Sequence, residues 1–166
     1  MRIAARPERV WEALMRHDLA ASPLSRLLLA LRGYGARALL ARGTTLPQRL
    51  ERFGFTTLRV MDGHEAVFGL AGKFWTPSGA LRRLADEYAF ETFAEEGCVK
   101  AAWNLKIGAV YPDACELTTE TRIAYFGEEA RRKFRIYWAL IRPFSVLLRL
   151  GLLRGIRRAA ERSVEV

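Results

Sequence analysis

The chain is poor in the residues that anchor most enzymatic chemistry: two cysteines, two histidines and four lysines in 166 residues. With no CxxC pair, and with only His17 and His64, a structural zinc site lacks ligands at usable spacing. Neither a metal nor a cofactor is expected. Cys98 and Cys115 fall near the start of one expected strand and just before the next, so a hairpin between them leaves the thiols several residues out of register. That disfavours a disulfide and suits a reducing, cytoplasmic setting. GxSxG and GxGxxG are both absent, which disfavours a hydrolase or a nucleotide-dependent enzyme. His64 in a turn and His17 at a helix end read as solvated side chains. Charges appear in MRIAARPERVWEAL before an apolar stretch of signal-peptide length can form. The apolar run at 136–153 is interrupted by Arg142, Pro143 and Arg149, and central arginines are costly in lipid. Peripheral contact is therefore the favoured membrane reading.

What is abundant is arginine. The formal net charge is +9, the isoelectric point lies near 10.2, and lysine supplies only four of the 27 basic side chains. Such a balance suits an acidic partner such as nucleic acid or an anionic membrane, but equally a solvated basic surface encoded by a GC-rich genome. Nucleic acid is disfavoured because no recognition motif surrounds the arginines. An apolar fraction of 51% with 27% charged residues is that of a globular protein. The length fits one domain, 1–166, able to bury about two-thirds of its unfolded surface.

A short strand at 2–5 and a helix from Pro7 through Arg16 open the chain, with Pro7 suited to the first turn and Val10, Trp11 and Leu14 forming a buried stripe. A Leu-rich helical stretch at 23–41 is broken by Gly33 and Gly35. From residue 53 the pattern turns to strands, at 53–62 and 65–74 around an Asp62–Gly63 turn. A weaker strand or connector follows at 80–84, then strands at 87–94, 99–110 and 116–125, with turn signals at Glu96–Gly97 and Pro112–Asp113. This is an antiparallel meander.

Residues 128–162 carry helical periodicity. At about 100° per residue, Ala130, Phe134, Tyr137, Trp138, Ile141, Leu148, Leu152 and Ala159 share one side. Arg131, Arg132, Arg135, Arg142, Arg149 and Arg157 gather on the other. Pro143 should bend a single helix of about 52 Å. Val146, Leu147, Leu150 and Leu153 add a second apolar flank, to be covered by residues 27–40, by another subunit in a homo-oligomer, or by a membrane surface. The expected fold is α+β: a curved antiparallel sheet wrapped around a long C-terminal helix, with two short helices near the N-terminus. Such a shape often encloses an apolar cavity.

The order of one short strand, two helices, six antiparallel strands and a long terminal helix resembles the START-like or polyketide-cyclase-like superfamily (SRPBCC), also called the helix-grip fold. RPERVWEAL looks like its first strand-to-helix junction. TETRI at 119–123, followed by a helix containing Tyr137 and Trp138, looks like its closing elements. Here the first strand is shorter than in most members. The resemblance implies a cavity between the concave sheet and the terminal helix that takes lipids, hormones, polyketides or other apolar molecules, in binding proteins as well as cyclases.

Alternation turns Val99, Ala101, Trp103, Leu105 and Ile107 to one face and Lys100, Asn104 and Lys106 to the other. In the last strand Leu117, Thr119, Thr121 and Ile123 make the apolar face, with Glu120 and Arg122 outward. A slip of one residue would instead send Glu120 and Arg122 into the cavity, where they could polarise a ligand carbonyl. The expected ligand-binding set is Tyr88, Phe90, Trp103, Leu105, Thr119, Thr121, Phe134, Tyr137, Trp138 and Ile141, the alternative being a solid core. In a cyclase or dehydratase, Tyr88 and Tyr137 could donate a proton and Arg122 could assist. No catalytic residue is assigned. A third reading is an oligomer- or membrane-interaction module using the Arg-rich helix.

Overall fold

The computed structural model describes residues 1–18, 26, 45–76 and 80–162. Among them are five strands: β1 (Arg2–Ile3), β2 (Thr56–Met61), β3 (Glu65–Gly72), β4 (Val99–Tyr111) and β5 (Ala114–Tyr125). Every pairing is antiparallel, and the sheet runs β1-β5-β4-β3-β2, with β1 and β2 outermost among the described strands. The helices are α1 (Pro7–Arg16), α2 (Leu46–Arg52), α3 (Glu87–Thr92) and α4 (Glu128–Arg162). The fold is thus α+β, with short N-terminal helices and a long terminal one. The helical stretch expected at 23–41, including the 27–40 cover for α4, lies outside the described residues.

Turn chemistry sets the hairpins. Gly63, at φ 72°, lets Asp62–Gly63–His64 reverse the chain between β2 and β3, and the His64 amide closes the turn on the Met61 carbonyl at 2.9 Å. Pro112–Asp113 joins β4 to β5. Ahead of β4, the Gly97 amide donates to the Phe126 carbonyl at 2.8 Å and extends the ladder past Tyr125. Cys98 and Cys115 are both free and buried at opposite ends of this hairpin.

Two expected strands are not strands, which leaves five rather than seven among the described residues. Residues 87–92 form α3 because Asp86 acts as its N-cap, its Oδ1 accepting from the Ala89 amide at 2.8 Å, with Glu87 in the acid-favouring first turn. Residues 80–84 contribute one bridge, between Arg82 and Ala71. The helix at 46–52 is an addition to the expected elements. Its start is fixed by Pro47 in the first turn and by Gln48 Oε1, which accepts from the Thr45 amide at 3.0 Å.

Two short helices end on cations supplied by other elements. The Arg49 side chain of α2 is buried and donates to the His17 carbonyl at 2.7 Å, just past the end of α1. Lys100 of β4 donates to three carbonyls at the end of α3: Phe90 at 2.9 Å, Glu91 at 2.8 Å and Phe93 at 3.1 Å. A cation there completes orphan carbonyls and complements the helix dipole.

The faces of the sheet carry different layers. On the Trp103 side, Ile3, Phe68, Leu105, Ile107 and Leu117 pack with Val10 and Leu14 of α1, Leu46 and Leu50 of α2, and Leu152, Leu153 and Ile156 of α4. A second cluster on that side joins Val99 to Ala130 and Phe134 at the start of α4, with Phe74, Trp75, Ile123, Tyr137 and Trp138 around it. Alternation along β4 puts Lys100, and so α3, on the opposite face.

Helix α4 is continuous through Pro143. Its buried stripe, however, changes direction. Ala130 and Phe134 define it at the start, whereas Leu152, Leu153, Ile156 and Ala160 define it at the end. At about 100° per residue that is a rotation of about 70° around the axis. Three sequence assignments are corrected by it. Leu153 leaves the second apolar flank for the core beneath the sheet-facing stripe, Ala160 replaces Ala159 as the buried alanine, and Arg149 turns toward the sheet.

Candidate functional site

Between the two apolar clusters lies a belt of side chains that are only half-buried, although they belong to inward faces. On the sheet these are Ala101, Trp103, Thr119, Thr121 and Ile123; on the helix they are Trp138, Ile141, Leu148 and Arg149. The ends of the belt are closed, with Val99 and Leu105 fully buried on either side along β4 and Phe134 and Leu152 nearly so along α4. Helix and strand also disagree in length. From the level of Thr121 to that of Tyr125 a strand covers about 13 Å, while α4 spends about 22 Å between Arg149 and Phe134. The helix must run obliquely to the strands or stand off them there, and its middle turns do not seal the sheet.

Polar groups on this belt are few and ordered. Trp103 Nε1 donates to Thr119 Oγ1 at 2.7 Å, and Thr119 Oγ1 donates in turn to the Asn104 carbonyl at 2.7 Å. Trp103 is held besides by Phe68 and Phe55, with ring centroids 5.8 and 6.2 Å away. Next along β5, Thr121 Oγ1 accepts from Arg149 Nη2. Arg149 makes no salt bridge among the described residues. Burial alone pulls its guanidinium below the ordinary arginine value. A half-buried, unneutralised cation stands here at Thr121, whose register partner across the ladder is Trp103.

Most of the expected site residues converge on this face. Trp103, Thr119, Thr121, Trp138 and Ile141 lie on the belt itself. Phe134 and Tyr137 form its upper wall, where the Phe134 ring stacks on Trp138 with centroids 6.0 Å apart and 13° between planes. Leu105 is fully buried and belongs to the closed end. Tyr88 and Phe90 are corrected. As part of α3 they lie on the far face of the sheet, Tyr88 with 74% of its surface exposed and Phe90 packed over Gly69 and Lys100. Glu120 and Arg122 point outward and pair with each other at 3.0 Å, so the one-residue slip does not occur. Of the acid–base candidates, Tyr137 alone adjoins the belt.

Arg149 is the residue that sequence reasoning missed. The signal was present as an arginine inside a Leu-rich stretch, but the helical phase before Pro143 assigns it to the solvent side. Among the described residues, no three His, Cys, Asp or Glu side chains are arranged to hold a metal ion. A surface depression of about 600 Å³ lies elsewhere, at the β1 edge, lined by residues including Arg2, Tyr111, Arg157 and Glu161. Its Arg157 and Glu161 satisfy each other at 2.9 Å, and we assign it no ligand. In comparisons with known proteins, no family model, no curated protein and no solved structure matches this chain.

Proposed function

We propose that this protein binds an apolar or aromatic small molecule between the Trp103 face of the sheet and α4, in the manner of START-like proteins and in a cytoplasmic setting. One observation carries the proposal. Inward-facing side chains, two tryptophans among them, stay half-buried between two closed apolar clusters. A chain whose only need was a solid core would bury them. The test is titration of the purified protein with a panel of aliphatic and aromatic compounds, read by tryptophan fluorescence and calorimetry. Saturable, roughly one-to-one binding that is lost on Trp103→Ala is expected. No saturable binding across the panel, with a crystal structure showing the belt filled by the protein's own side chains, would overturn the proposal.

A second reading rests on a different observation. Ile136, Leu140, Phe144 and Leu147 stand outward along the middle of α4, a segment that also exposes Arg135 and Arg142 on another side. We propose peripheral contact of this stripe with an anionic membrane surface, where apolar insertion and arginine attraction act together. By length and composition α4 could also span a bilayer. Its tie to Thr121 and the burial of Leu152, Leu153 and Ile156 instead bind its second half to the sheet. Co-flotation with phosphatidylserine vesicles but not with neutral phosphatidylcholine vesicles is expected, and should be lost in Leu140→Glu. Binding to neither kind, or a stable dimer that buries this stripe, would remove the reading.

A further inference from the structure

We infer that the ligand taken by the belt is an amphiphilic carboxylate, with an apolar or aromatic body between the tryptophans and a carboxylate head received by Arg149 and Thr121. The inference rests on the ligand-binding reading above and adds the chemical class of the ligand.

Arg149 occupies a helix position that faces the sheet, where leucine would serve packing better. A guanidinium carries five N–H donors in a planar fork. One of them reaches Thr121, and no other partner engages the side chain among the described residues. Acidic groups that could neutralise it are committed elsewhere. Glu120 pairs with Arg122, and Glu65 accepts from Asn104 at 2.7 Å, both on the opposite face of the sheet; Glu161 pairs with Arg157. Thr121 Oγ1 accepts from Arg149, which leaves its own proton to donate. Two donors of different elements therefore stand side by side at the edge of an apolar, partly desolvated strip. That combination suits a planar anion, because charge-assisted fork contacts gain strength where water is scarce. Trp103 is unavailable as a third donor, since its N–H is spent on Thr119. Its ring is left as a flat apolar surface for the body of the ligand.

The experiment compares matched pairs: dodecanoate with dodecanol, and 2-naphthoate with 2-naphthalenemethanol, each titrated into the full chain below its aggregation limit. In the wild type the acid should bind at least about tenfold more tightly than its alcohol. Arg149→Gln should abolish that preference while leaving the alcohol's affinity within about threefold, and Arg149→Lys should keep part of it. Thr121→Val supplies an independent variant, expected to reduce the preference severalfold, and circular dichroism verifies that each variant is folded. Equal binding of acid and alcohol by the wild type overturns the carboxylate assignment and leaves the apolar-ligand reading standing. An acid preference that survives in folded Arg149→Gln likewise overturns it. Saturable binding of neither member of either pair overturns both.

Discussion

The guanidinium of Arg149 on the terminal helix donates to the hydroxyl of Thr121 on the last strand, from a position that the phase of the preceding turns assigns to solvent. This contact agrees with the burial of Leu152, Leu153, Ile156 and Ala160 in setting the rotation of α4 over the sheet beyond Pro143. It also holds a charge where a charge is unfavourable. Desolvation of a cation without a counter-ion costs stability, and such costs concentrate at sites kept for binding.

Arg149→Met should accordingly raise the unfolding free energy, by about 1 kcal/mol, since the aliphatic part of the side chain is kept and the desolvated charge removed. Denaturant titration of the two proteins at neutral pH measures it. A loss of more than about 1 kcal/mol would mean that the Thr121 contact is mainly structural.

Leu153 and Leu147 lie on the same expected flank but differ in surroundings: Leu153 retains 9% of its surface, Leu147 retains 47%. Leu153→Ala should cost about 2–4 kcal/mol, and Leu147→Ala no more than about 0.5 kcal/mol. Equal effects would contradict the rotated stripe.

Gly69 is pressed by α3 from the far face. A Cβ at this position would lie 2.6 Å from Cδ2 and 2.8 Å from Cε2 of the Phe90 ring. Gly69→Ala is expected to cost about 1–3 kcal/mol through overpacking. Combining it with Phe90→Leu should recover part of that loss, because the obstructing ring is gone. Strict additivity of the two changes in a double-mutant cycle would place Phe90 away from Gly69.

Acid should destabilise the protein in two separable steps. Burial holds the His17 imidazole below its ordinary value of 6.5, so the unfolded chain takes up this proton more readily and stability falls as pH drops below that value. Glu95 is held at about 2, well under 4.5, chiefly by the hydrogen bonds it accepts from Arg82 at 2.6 and 2.7 Å. Its contribution is complete above pH 4.5 and is lost as pH falls toward 2. Stability measured against pH should therefore lose its first limb in His17→Asn and part of its second in Glu95→Gln, since Arg122 and Lys133 also hold Glu120 and Glu129 below their ordinary value. A Glu95→Gln profile that still tracks the wild type below pH 4.5 would refute the pairing.

Period-two alternation was enough to read the faces of β4 and β5. It brought Trp103 beside Thr119 and sent Glu120 outward, because a buried strand face tolerates one register only. It misread 87–92, where Tyr88 and Phe90 alternate as they would in a strand. The competing signal was the Asp86–Glu87 pair, an N-cap followed by a first-turn acid, and capping outweighed aromatic content in so short a segment. The same kind of signal opens α2 at Thr45 and Gln48. The bearing of Arg149 was hidden for another reason: angular phase counted across a proline assumes a straight axis and an unchanged partner. Nothing in the residues themselves records that α4 rests on Val99 at one end and on α1 at the other.

Lys100 ties a local element to a distant one. A six-residue helix has almost no persistence of its own in water, yet α3 ends on an ammonium that is correctly placed only when β4 is paired in register. Displacing that strand by one residue would send Lys100 through to the Trp103 side and leave the three carbonyls bare. Order of assembly follows: α3 amides should gain protection after those of β3 and β4, never before, and pulsed hydrogen exchange during refolding can read that sequence of events. The smallest helix named among the described residues then serves as a reporter of whether its sheet has been assembled correctly.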